Sequence, residues 1–304
     1  MNLAPGKRRK RAGGQLTRWL FVLPAMAVVV CLLIYPVLST VFYSFTNRTM
    51  IRTTYSMVGL KNYINILTDK NFYNAFLHSL IWTVGSVAGQ LVVGFIGALC
   101  LNRVKNHIAR NVFRVICIIP WAFPAIATAM TWKWMLNGIY GFVPTMLMEL
   151  GLTDGLAQFL SSNLAMPTLI FINIWFGAPL IMVNVYAALQ TIPRDQYEAA
   201  QIDGASGLQS FIYITVPHIR SVVGLLVVLR TVWVFNNFDL IYMITAGGPA
   251  GSTTTMPLYI YDTGWTGRMV GKASAASVLL LLFLVIITLL YFKVIGRWEK
   301  EEKR

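Results

Sequence analysis

The sequence predicts an all-α, polytopic membrane protein with six transmembrane helices. Of 304 residues, 57% are hydrophobic and only 12% are charged, about half the charge of a soluble domain. Mean hydropathy is +0.63. The apolar residues gather into six runs of more than twenty residues; about twenty residues rising 1.5 Å each cross a hydrocarbon layer of about 30 Å. A closed β-barrel is the other way to span, and the chain lacks the alternating strands that it needs.

The first run, 19–43, follows Lys7-Arg8-Arg9-Lys10-Arg11. It is too long for a secretion signal and lacks a small-residue cleavage site, so it reads as a retained span. The other runs are 76–101, 112–136, 165–190, 215–245 and 273–295. Pro120 and Pro124 are expected to kink the third. This leaves a basic tail over 1–18, a membrane domain over 19–295 with a polar segment at 191–214, and a tail over 296–304. The 44–75 and 137–164 stretches are loops, with short surface helices expected near Gly59–Tyr63 and Glu149–Asp154. No internal repeat is visible.

Lys and Arg set the orientation. Seventeen lie in the N-terminal tail, the 102–114 loop, at Arg194 and Arg220, and in the C-terminal tail. Seven lie on the other side: Arg48, Arg52, Lys61, Lys70, Lys133, Arg268 and Lys272. Arg230 falls inside a span. This bias places both termini and 191–214 in the cytoplasm. The 1–15 tail then lies disordered or on the anionic headgroups of the bilayer.

The net charge of +14 does not point to nucleic acid, because the basic residues flank apolar runs as topology signals. Cys31, Cys100 and Cys117 sit in or beside those runs and read as small packing residues. The three histidines are scattered, and no metal site is expected. Gly271-Lys272 is followed by Ala273 and lacks the upstream glycine of a nucleotide-binding loop. HExxH, CxxC and GxSxG patterns are absent. The chain is therefore read as a non-enzyme, with no catalytic residue and no cofactor of its own.

The 191–214 segment is charged and hinged on glycine between two spans. Pro193 suits a first helical position. Asp195 falls in the first turn, where the helix dipole favours negative charge. Gly204 can end the helix at positive φ. A second short helix is expected from about Ser206 to Tyr213, with Pro217 opening the next span. Ala199, Ala200 and Ala205 allow close approach, so the segment forms a knob with Glu198 as its foremost charged contact. The alternative is a solvated interfacial loop.

Polar residues inside spans mark a second region. Asn236, Asp239 and Tyr242 recur at i, i+3, i+6 and share one face of a continuous fifth helix. Amide, carboxylate and phenol on one stripe suit a polyhydroxylated ligand. Gluing helices together or pairing with another subunit is the alternative. Nine residues separate Arg230 from Asp239, so a straight helix places Arg230 on the opposite face, about 13 Å away. Asn173, Gly177 and Asn184 form a stripe in the fourth span. Ser79, Thr83, Ser86, Gln90, Gly94 and Gly97 form one in the second, suited to packing or to lining a pore.

Glu198-Ala199-Ala200, three residues, Gly204, nine residues, then Ile214-Thr215-Val216-Pro217 resembles the signature of permease subunits of binding-protein-dependent ABC importers. Val216 stands where Leu is usual. Leu189–Pro193, Ile202–Ser206, Val58–Tyr63, Phe113-Arg114 with Pro120, Trp132, and Phe238–Tyr242 through Gly247-Gly248-Pro249 extend the likeness to the carbohydrate branch, maltose-transporter first-permease type. Pro144 departs from an Asn common among these relatives.

The resemblance implies a type I importer permease fold in a bacterial inner membrane and transport by alternating access. It implies a second, homologous permease subunit, two ATPase subunits that use ATP and Mg, an extracytoplasmic solute-binding protein and a sugar substrate. Glu198, Ala199, Ala200, Asp203, Gly204 and Pro217 are the ATPase-coupling candidates. Asn236, Asp239, Tyr242, Asn173 and Asn184 are the pathway candidates. A non-carbohydrate solute such as a glycerol phosphate ester remains an alternative, as does an ion-coupled secondary transporter.

Overall fold

Proline positions account for several of the irregularities in this helical chain. The computed structural model describes residues 22–52 and 54–302, with side chains omitted at 294, 295 and from 297 onward. The 1–18 tail, the beginning of the first span at 19–21, and the side chains of the 297–304 tail lie outside the described residues. The described chain divides into two compact units: Met1–Ile66 with Thr263–Leu279, and Leu67–Asp262 with Leu280–Arg304.

The first unit opens with α1 (Val22–Ser44), whose residues 22–37 are exposed. A wider π-type turn over Val30–Ile34 precedes Pro36, with the Tyr35 N–H donating to Val30 O. Pro36 cannot donate a backbone hydrogen bond, and the wide turn accommodates the missing donor. Beyond α1, Thr46 and Met57 form an isolated antiparallel bridge. α2 (Lys61–Leu67) follows and ends at the unit's edge.

The second unit carries most of the helical mass. α3 (Lys70–Arg103) starts at Asp69, whose carboxylate accepts from Asn71 N–H at 2.9 Å. α4 (His107–Ala122) is capped by Asn106, which accepts from Ile108 and Ala109 N–H groups. α5 (Ala125–Met135) leaves α4 at 88°. The third run is therefore kinked, as expected from its prolines, with the break at Pro124, so it is not one straight helix over 112–136. Pro124 forces Phe123 out of the helical region, to φ −76°, ψ 145°. Pro120 stays inside α4.

Next come α6 (Phe142–Glu149), α7 (Ala165–Leu189) and α8 (Arg194–Ile202). α9 (Gly207–Phe235) is followed by α10 (Asp239–Thr245) and α11 (Met256–Tyr261). The fifth run is thus broken too, and does not form one helix over 215–245. Asn236 sends its Nδ2 back to Val232 O at 2.9 Å, and Asn237 Oδ1 accepts from Leu240 N–H at 3.3 Å. Side-chain amides that compete for backbone groups end one helix and start another. α12 (Val270–Glu302) closes the described chain.

Among the described residues, five helices are long and apolar enough to cross a membrane, and six if the bent pair α4–α5 counts as one span. The small-polar stripe of α3 is a packing surface. Ser79, Thr83, Ser86 and Gln90 are buried. A Cβ at Gly94 would lie 2.7 Å from the Ile181 Cβ and 2.8 Å from Ala178 O, so the missing side chain lets α3 and α7 approach. One core cluster gathers Trp82, Leu169, Ile172, Leu240 and Leu258. A second gathers Ile181, Val185, Ile192, Ile219 and Leu226. The three cysteines are free and exposed rather than packed inside.

Candidate functional site

The 190–217 segment is a projecting turn of helix pinned at its base. Pro193 is the residue before α8 rather than its first helical residue, and Asp195 lies in the first turn. The end of α8 is a complete left-handed cap. Gly204 sits at φ +76°; its N–H donates to Gln201 O at 3.1 Å, and Ala205 N–H donates to Ala200 O at 2.9 Å. This pairing is the Schellman arrangement, which favours glycine at the left-handed position.

Ser206 then opens α9 with a reciprocal capping box to Gln209. Here the structure departs from expectation. No separate second helix ends near Tyr213, because α9 runs from Gly207 through a π-type turn at Phe211–Thr215 into the span. Pro217 lies inside this helix, two residues past the wide turn. The knob's second arm is therefore continuous with a membrane helix.

Two contacts anchor the knob. The Tyr197 hydroxyl meets Thr215 Oγ1 at 2.8 Å, and Gln190 Nε2 donates to Asn102 Oδ1 at 2.6 Å. Ile192, Tyr197 and Ile214 join the second core cluster. The outer surface stays bare: Glu198, Ala199, Asp203 and Gly204 are exposed, and Ala200 is half-buried. Ile202 is 87% exposed, Tyr213 76% and Leu208 68%. Apolar side chains this bare on a polar projection mark a surface made to be covered.

The pathway candidates do not form one site. Asn173 is buried where α3, α7 and α9 meet. Arg230 Nε donates to Gln90 Oε1 at 2.8 Å, and Gln90 Nε2 donates to Asn173 O at 2.9 Å. Gly177 makes room, since a Cβ there would collide with Arg230 and Gln90. Arg230 has no carboxylate partner among the described residues, and its guanidinium carbon lies 5.9 Å from the Trp233 ring. Asn173 Nδ2, Ser86 Oγ and Thr83 Oγ1 are buried without a hydrogen-bond partner.

Asn184 is eleven residues beyond Asn173, about 16 Å along α7, and binds its own helix at Leu180 O. Asn236 is exposed and folds back on α9. Asp239 is exposed in the first turn of α10. Because the helix breaks at Asn236, the expected common stripe of Asn236, Asp239 and Tyr242 does not exist. The straight-helix distance from Arg230 to Asp239 lapses with it.

Tyr242 belongs to an aromatic group that the sequence spacing did not reveal. It stacks on Phe238 at 4.8 Å, and Tyr261 closes on both at 5.0 and 5.3 Å. Its hydrogen bond with Tyr242 pushes the Tyr261 phenol above its ordinary value, aided by burial and by the Tyr242 and Asp262 charges. The Arg230–Gln90 link was missed as well. Both residues stood out singly, but only packing pairs positions 140 residues apart.

Residues 90–300 match the family described as the binding-protein-dependent transport system inner membrane component, and the chain belongs to that family. It is therefore a permease subunit of an ABC importer. It is 34% identical over 285 residues to the trehalose/maltose transport system permease protein MalF of Thermococcus litoralis, covering 93% of this chain and 94% of that one. It is 31% identical over 306 residues to the diacetylchitobiose uptake system permease protein DasB of Streptomyces coelicolor, covering 98% and 93%. A solved structure of the bacterial alginate ABC transporter, in complex with an alginate pentasaccharide-bound periplasmic protein, contains a chain of the same fold. Its TM-score is 0.82 at 23% identity, covering 95% of this chain and 98% of that one.

Proposed function

We propose that this chain is one of two homologous permease subunits that enclose the pathway of a sugar or oligosaccharide importer. An extracytoplasmic binding protein delivers the substrate, and two separate ATPase subunits drive alternating access with ATP and Mg. The names of the relatives favour a carbohydrate. The protein sits in the inner membrane with both termini and the knob in the cytoplasm, as the distribution of Lys and Arg favours. The ATPase docks on Glu198, Ala199, Ala200, Asp203 and Gly204, and Pro217 lies where the knob's continuous arm enters the bilayer. Asn173, Asn184, Asn236, Asp239 and Tyr242 remain the candidates for the pathway.

The observation that carries this reading is the knob itself. It is exposed and apolar at its tip, capped at Gly204, and continuous with a membrane helix through α9. A load applied there reaches the span without a break in the helix. Coupling requires contacts whose free energy differs between the two transport states, and a continuous helix transmits that difference.

The test is reconstitution of the full complex with Glu198→Ala. Insertion and complex assembly are expected to persist while binding-protein-stimulated ATP hydrolysis falls. Unchanged stimulation would remove Glu198 from the docking surface.

A further inference from the structure

The seam where α3, α7 and α9 meet holds a cation that its own chain leaves without a counter-charge. The stretches 22–44, 70–135, 165–189, 207–235 and 270–293 contain no Asp or Glu. The spans are thus free of carboxylates over these residues, yet Arg230 is only 6% exposed. Asp239, the acid nearest to it in sequence, stands exposed in α10. A guanidinium keeps its proton in any protein environment. Held away from water, it is costly until an opposite charge meets it.

Two contacts between α3 and α9 bracket the seam. At one end the Trp82 indole N–H donates to Val234 O at 2.8 Å. At the other, Arg230 Nε donates to Gln90 Oε1 at 2.8 Å. Thr83, Ser86 and Gln90 recur at i, i+3, i+7 and share a face of α3, so Thr83 and Ser86 fall between the two contacts. Asn173 enters from α7, where its backbone carbonyl accepts from Gln90 Nε2. The bare backbone at Gly177 lets Arg230 Nη2 and the Gln90 amide lie side by side against α7.

The polar atoms left over share one chemistry. Gln90 is committed at both ends of its amide. Among the described residues Arg230 hydrogen-bonds only through Nε, which leaves Nη1 and Nη2 unused. Asn173 Nδ2, Ser86 Oγ and Thr83 Oγ1 have no partner, although Asn173 is 1% exposed, Ser86 0% and Thr83 4%. Guanidinium, amide N–H and hydroxyl groups all donate. A full positive charge beside unused donors suits an anionic group, whose charge-assisted hydrogen bonds are the strong ones. A cation would be repelled, and a neutral hydroxyl would leave the charge uncancelled.

We propose that Arg230, Asn173, Ser86 and Thr83 form an anion site in this seam. It takes one monovalent anionic group: the carboxylate of an acidic sugar, or a halide from solution. Arg230 supplies the charge, and the amide and hydroxyls direct hydrogen bonds at the same group. The acidic-sugar source rests on the importer function proposed above and narrows its substrate class. Alternating access moves spans against one another, which gives a ligand entry to a seam that is closed in one state. The anion site itself does not depend on transport.

The experiment titrates the complete complex in lipid nanodiscs with sodium glucuronate and, separately, with sodium chloride. A bulky organic sulfonate holds the ionic strength constant. The readout is the thermal unfolding midpoint, which rises when a ligand binds the folded state. A saturable rise is expected with at least one of the two anions. Glucuronate acting without chloride names the sugar as the source, and chloride acting alone names the solution ion. Arg230→Gln should raise the half-saturating concentration about tenfold or more, while Arg230→Lys keeps the charge and a saturable response. Where Arg230→Gln does not assemble, Asn173→Ala decides in its place, because Gln90 bonds the backbone of residue 173 and keeps that contact. No saturable response to either anion overturns the site, as does an equal response in the variant that decides. Loss of the second permease subunit from Arg230→Gln, with no anion response in the unaltered complex, gives the counter-charge to that subunit and also overturns it. Binding-protein-stimulated ATP hydrolysis of the same unaltered complex tests the importer function separately. Stimulation without an anion response sinks the site alone, and an anion response without stimulation sinks the importer alone.

Discussion

Gly204 offers the sharpest separation of backbone strain from side-chain bulk. It holds φ +76°, and nothing lies within 4 Å of a Cβ built there. A side chain therefore meets no clash within this chain, and the cost is conformational. An L-residue in the left-handed region costs about 1–2 kcal/mol. A β-branched residue fits that region worst, whereas Asn adopts it with least penalty.

Gly204→Val should therefore weaken the docking-competent knob by at least about 1–2 kcal/mol, a factor of about 5–30 in the equilibrium. Gly204→Asn, of similar volume, should lose much less. The assay is the affinity of the purified ATPase subunit for the permease pair, followed by stimulated ATP hydrolysis in the reconstituted complex. Insertion should be unaffected, because Gly204 is exposed outside the spans. Equal behaviour of Val and Asn, whether both benign or both disabling, would refute the backbone argument and leave bulk, or nothing, as the cause.

Gly94→Ala should destabilise the permease by about 1–3 kcal/mol through overpacking against Ile181 and Ala178 O, read as a lower thermal unfolding midpoint in detergent. Gln90→Leu removes the acceptor of buried Arg230 and should cost about 2–3 kcal/mol. Adding Arg230→Met should recover part of that loss, and additive losses would show that the two side chains do not act as a pair. Asp239→Ala should lower substrate-stimulated transport while leaving co-purification of the complex intact; assembly failing first would make Asp239 structural.

The candidate site was unevenly legible in the sequence. The knob was readable because its determinants are local. Asp195 near a helix start and Gly204 at its end act on their immediate neighbours, and each stands where helix-end chemistry requires it. The second arm was misread because Ser206–Tyr213 looks terminable on its own. Its continuation through a wide turn at Phe211–Thr215 depends on how α9 enters the membrane domain. The pathway stripe failed for a related reason. Its spacing assumed a helix that Asn236 and Asn237 interrupt, and apolar flanks hid that break.

Membrane residence, the apolar runs, the Glu198–Pro217 signature and its glycine turn were determined by the sequence alone. These features depend on composition and on interactions within a few residues of each other. Tertiary structure decided how far the proline break turns α5 from α4, 88°, the burial of the α3 stripe and the Arg230–Gln90–Asn173 chain. It also decided the Phe238–Tyr242–Tyr261 group and the hydrogen bonds that tie 44–50 to 268–271. Each of these joins positions far apart in the chain or fixes the direction of a helix at a break. Spacing along a sequence carries no record of which distant face will close against it.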